Sequence, residues 1–150
     1  RSAAYEIAVA SPVQVQFALA RLALVGGNLD LAERHALAVV EAVPGQSPGY
    51  EVLAQVHLQR GAREPGRHAL ARAMELGSQD AGLYLLDAQL TLEPLLASNS
   101  WIDQLMPAAQ ARTVADSVLR SLGLQPRNPP AFETLALALA NVAELTEQDE

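Results

Sequence analysis

Apolar residues recur three and four positions apart along most of the chain, and polar or turn residues interrupt them at regular intervals. Over residues 13–25, Val13, Phe17, Ala20 and Leu24 fall on one stripe of a helix. Gly26-Gly27-Asn28 follows and stops it, glycine accepting the left-handed backbone that ends a helix and Asn28 or Asp30 capping the next one. A second stripe runs through Leu31, Ala32, His35, Ala36, Val39 and Val40 and closes at Pro44-Gly45. The same alternation predicts helices over 48–60, with a break at Gly61, and over 64–76, ended by Gly77-Ser78. Pro65 is tolerated there because a first turn needs no backbone donor.

Further on the pattern predicts helices over 79–92 and 107–122, separated by an insert over 93–106 that carries Glu93-Pro94 and Trp101. Trp101, Ile102, Leu105 and Met106 read as a short turn packing its apolar side down. Pro126 to Pro130 marks another break, and 131–144 reads as one more helix, a cap without a partner helix. Residues 1–11 look like the second helix of a preceding hairpin, and 145–150 form an acidic tail.

The stripes repeat. Leu19-Ala20 returns 34 residues later as Leu53-Ala54, and Ala54 as Ala88 after another 34. Gly27 returns as Gly61, Ala36 as Leu70, Val39 as Ala73 and Tyr50 as Tyr84. Beyond residue 88 the phase is recovered by adding 14 residues, which takes Tyr84 to Phe132 and Ala88 to Ala136. A 34-residue period is that of a tetratricopeptide (TPR) hairpin. The chain resembles that family most closely in its second repeat, where Tyr50 stands for the tryptophan of the pattern, Leu53-Ala54 for Leu-Gly, and Gly61 for the turn. In the first repeat Leu19-Ala20, Gly27, Ala32, Ala36 and Pro44 fit, while Gln16 replaces the aromatic residue.

The resemblance implies an all-α fold, a right-handed superhelical stack of antiparallel helix hairpins. A single TPR-like domain over 1–144 is expected, with repeats at 13–46, 47–80 and 81–128 and a capping helix over 129–144. Small residues at Ala32, Ala54, Gly66 and Ala88 should let paired helices approach, and Tyr50, Tyr84 and Phe132 should fill the gaps between hairpins. Stability then comes from stacking, since each hairpin alone exposes an apolar face.

Composition narrows what such an array can do. Half of the 150 residues are apolar, enough for a sizeable core, and the net charge is −7 with no lysine at all. That balance argues against nucleic acid, which needs a concentrated basic stripe. No run is long enough to enter a membrane as a spanning helix. Cysteine is absent, which removes thiolate chemistry and cysteine-based metal sites. His35, His57 and His68 fall on different expected helices and never at metal-ligand spacing, and nucleophile-elbow and phosphate-cradle motifs are missing. No catalysis, metal or cofactor is expected, and the compartment stays open. The lysine-free, alanine-rich and arginine-rich composition resembles that of proteins from a GC-rich bacterial genome, so a bacterial source is the expectation.

The TPR likeness places a protein or peptide partner on the first helix of each hairpin, in a concave groove. By register that groove presents Gln14, Phe17, Ala18 and Arg21, then Glu51, Gln55 and Gln59, then Leu85, Leu86, Gln89 and Leu92. Modules of this family that clamp a terminal carboxylate carry several cations there, and here Arg21 stands alone. An apolar or neutral segment is the expected ligand, its main-chain amides bonded by Gln55, Gln59 and Gln89 and one side chain anchored near Phe17. The rival expectation is a spacer or self-association unit whose open ends, 1–11 and 131–144, meet further repeats or a second copy. A third is a regulatory part of a larger enzyme.

Overall fold

A computed structural model describes residues 11–96, 108–134 and 136. These are helical with short turns and no strand among them: α1 Pro12–Val25, α2 Leu29–Ala42, α3 Pro48–Gln59, α4 Arg63–Glu75, α5 Ala81–Leu96 and α6 Ala108–Leu124, followed by a helical stretch at 129–134. Helices pack with their chain neighbours, as antiparallel pairs α1/α2, α3/α4 and α5/α6. The segment expected to precede α1, the Trp101 turn and the acidic tail all lie outside the described residues. The chain divides into two compact units, Arg1–Ser78 and Gln79–Glu150.

Local chemistry explains where the helices of the first unit begin and end. Ser11 opens α1 with a reciprocal cap: its hydroxyl accepts from the Gln14 amide at 3.2 Å, and Gln14 Oε1 accepts from the Ser11 amide at 3.0 Å. Asn28 caps α2 through Oδ1, which accepts from the Leu31 amide. α1, α3 and α4 end alike, with Gly27, Gly61 and Gly77 each at φ 76°. In each case the next residue's amide reaches back five positions: Asn28 to Ala23, Ala62 to His57, Ser78 to Ala73. One glycine-closed Schellman turn is thus used three times.

The core of this unit is mostly alanine, with Ala20, Ala32, Ala36, Ala54, Ala69 and Ala73 buried beside Val39, Val56 and Leu70. Small side chains bring the helix axes close. Within the second hairpin, a Cβ at Gly66 would stand 2.7 Å from the Leu58 side chain. Between the hairpins, where α2 packs on α3, a Cβ at Gly49 would stand 2.6 Å from Val40 Cγ2 and 3.0 Å from the Ala36 carbonyl oxygen. Tyr50 is half-buried with the Arg72 guanidinium 5.9 Å above its ring.

In the second unit Leu85, Ala88 and Leu92 of α5 meet Val114 and Val118 of α6 and Ala131 of the following stretch. Tyr84 is buried, whereas its counterpart Phe132, expected to fill a gap between hairpins, is more than half exposed. α5 also runs through Glu93-Pro94, where a break was expected, and ends at Leu96. Proline biases the residue before it away from helix without forbidding it, and the long apolar run preceding it holds the turn.

Candidate groove and its lining residues

The groove expected along the first helices is resolved helix by helix. On α1, Phe17 is half-buried and Arg21 exposed, with the guanidinium 5.7 Å over the Phe17 ring. The only cation of the expected groove is therefore stacked on its own anchor residue. Gln14, beside them, is spent on the α1 cap. Gln16, which stands where the family pattern has an aromatic residue, meets His35 of α2, Oε1 to Nδ1 at 2.6 Å.

On α3, Gln55 is half-buried and Gln59 exposed. Glu51 is engaged by the fold itself, since its Oε1 accepts from Ser47 Oγ at 2.8 Å and from the buried Ser78 Oγ at 2.7 Å. It thereby ties the start of α3 to the turn that closes α4. At the other end of α3, Arg60 donates to Glu33 and, at 2.5 Å, to Asp30 of α2. The Glu33 hydrogen bond, ahead of the Asp30 contacts, holds this guanidinium above the usual arginine value.

On α5 the expected residues separate. Leu85 faces the core of its unit and offers a ligand little surface. Leu86 and Gln89 instead line a cavity of about 520 Å³, together with Leu90, Leu92, Glu93, Pro130, Glu133 and Thr134. Leu90, Leu92 and Thr134 are buried and form its floor, while Gln89, Glu93, Pro130 and Glu133 stand exposed around it. Among the described residues the wall is largely aliphatic, with one amide, two carboxylates and no cation. The Thr134 hydroxyl is engaged within its own helix, donating back to the Pro130 carbonyl at 2.8 Å.

Pro130, Glu133 and Thr134 are absent from the set expected from sequence, although the signal was present. The 48-residue shift that takes Tyr84 to Phe132 also takes Leu86 to Thr134, so the two walls are register equivalents. Among the described residues no three His, Asp or Glu side chains gather as a metal site requires, and no helix is long and apolar enough to cross a membrane.

No protein-family model and no curated protein matches the chain. Among solved structures it is similar to a mutant of the Thermobaculum terrenum O-GlcNAc transferase, with a TM-score of 0.62 and 20% identity. The match covers 85% of this chain and 22% of that one, so the chain spans about a fifth of the length of the structure it resembles. At that identity the likeness speaks for fold alone. Paired helices, a 34-residue register and this match together make the chain an all-α helical-repeat protein of TPR-like fold.

Proposed function

We propose that this chain is a non-enzymatic protein-interaction scaffold that holds an apolar or neutral peptide segment against the first helices of its hairpins. The observation that supports it most is the cavity at α5. It is concave, aliphatic in its floor, and edged by the Gln89 amide and the Glu93 and Glu133 carboxylates, the composition of a site that buries one apolar side chain and bonds the polar backbone around it. Its volume of about 520 Å³ suits a leucine- or phenylalanine-sized anchor with a few flanking atoms. The absence of a cation in that wall disfavours capture of a terminal carboxylate. Gln55 and Gln59 would play the part of Gln89 on α3, beside the Phe17 and Arg21 pair on α1.

The test is selection from a random peptide display library, followed by direct titration of the enriched peptides. Sequences carrying one aliphatic or aromatic anchor are expected to bind. Leu86→Glu, a substitution at a half-buried position, should weaken them at least tenfold while leaving the circular dichroism spectrum unchanged. Failure to enrich any peptide, or binding indifferent to Leu86→Glu, overturns the reading.

A further inference from the structure

The repeat register sorts the glutamates carried by first helices. Glu133 stands in phase with Glu51, because one period takes residue 51 to 85 and the 48-residue step takes 85 to 133. Glu51 is occupied by the fold: the hydroxyls of Ser47, one turn before it, and of the buried Ser78 both donate to its Oε1. In phase with Ser47 the later stretch has Pro129, whose side chain has no donor to give. Glu133 is exposed on the edge of the α5 cavity and takes part in no hydrogen bond or ion pair among the described residues. One register position thus holds a carboxylate that builds a hairpin and another that the fold leaves to solvent.

Charge narrows what the cavity takes. Glu93 of α5, in phase with Gln59, sets a second carboxylate on the same edge, around a floor of Leu90, Leu92 and Thr134. Two like charges beside an apolar wall add their fields, and the chain's net charge of −7 has the same sign. A segment that buries an apolar side chain here brings the neighbours of that side chain to the carboxylates. An acidic neighbour is repelled and a neutral one bonds without relieving the charge, whereas a basic one is attracted. Arginine suits the place better than lysine, since its planar fork donates to both oxygens of a carboxylate and is weakly hydrated. The other stretches of the second unit's own sequence do not meet this requirement. Residues 97–107 contain Asp103, and 135–150 contain Glu144, Glu147, Asp149 and Glu150, with no lysine or arginine in either.

We propose that the α5 cavity takes a segment of another protein in which the apolar anchor is flanked by a basic residue, arginine before lysine, held by Glu133 and Glu93. The inference rests on the peptide-binding reading and adds to it the charge beside the anchor. Both carboxylates are exposed, so the ion pair supplies selectivity more than affinity, about two- to fivefold.

The peptides enriched on the full chain from the random display library provide the test. Arginine and lysine are expected beside the anchor more often than in the unselected library. One arginine-flanked peptide is then titrated by fluorescence polarisation against versions carrying glutamine or glutamate in place of that arginine, and affinity should fall in that order. Glu133→Gln should cost the arginine peptide about two- to fivefold. The charge swap decides: Glu133→Arg should weaken the arginine peptide and strengthen the glutamate one, with the circular dichroism spectrum unchanged. Peptides that bind through Leu86 with no preference beside the anchor, or an affinity order unmoved by Glu133→Arg, overturn this inference and leave the peptide-binding reading standing. Enrichment of no peptide overturns both.

Discussion

Ser121 is fully buried on α6, and its hydroxyl finds no hydrogen-bond partner among the described residues. Four residues earlier Ser117 solves the same problem by donating to Asp87 of α5 at 3.1 Å. A buried polar atom left unpaired carries its desolvation cost without return, so Ser121→Ala should stabilise the protein by ~1 kcal/mol, read from the urea midpoint. Ser117→Ala removes one partner of a bonded pair and serves as the contrasting control. Single residues were also where the sequence was hardest to read. The pairing of Glu51 with Ser78 joins residues 27 positions apart, and nothing local announces it. Gln14 was legible in principle, since Ser11 followed three positions later by Gln14 is the capping-box signature. By register Leu85 is the counterpart of Phe17 and Glu51 and belongs to the groove, but Leu83-Tyr84-Leu85-Leu86 is apolar on every side, and a run without a polar face does not disclose which way it turns.

At the scale of elements the sequence was more legible, because the signals are chemical and local. The ends of α1, α3 and α4 were set by Gly27, Gly61 and Gly77, and glycine at those points is demanded by a backbone angle that other residues adopt only with strain. Closeness between helices is a different matter. Gly49 and Gly66 look equivalent in sequence, yet a Cβ at Gly49 would meet Val40 Cγ2 at 2.6 Å and α2 backbone atoms at 3.0 Å, whereas at Gly66 it would meet the Leu58 side chain at 2.7 Å and backbone no nearer than 3.3 Å. Alanine at either site gains up to ~1 kcal/mol of helix propensity. At Gly49 that gain should be exceeded by the displacement of α2, for a net loss of ~1–3 kcal/mol. Gly66→Ala, which asks for a shift of the Leu58 side chain and only a few tenths of an ångström from its backbone, should cost less, about 1 kcal/mol. Chemical denaturation of the two variants side by side checks the ranking. A larger loss at Gly66 would mean that the hairpin is held more tightly within itself than against its neighbour.

For the whole molecule, the net charge is −7, yet α1, with its exposed aliphatic stripe, contains no carboxylate. The repeat period was visible from the sequence because it is written in residue types. The exposed stripe needed the structure, since only burial separates Leu19 from its counterpart Leu53.

The thrice-used glycine turn also bears on how the chain reaches its fold. Each of these turns closes through residues three and five positions apart, and α1/α2 and α3/α4 are pairs of chain neighbours joined through one. Loop closure within a hairpin is consequently cheap, and the search for contacts stays local. Either hairpin of the first unit can serve as the nucleus from which its neighbour grows, so damage to one turn should reroute folding through the other rather than arrest it.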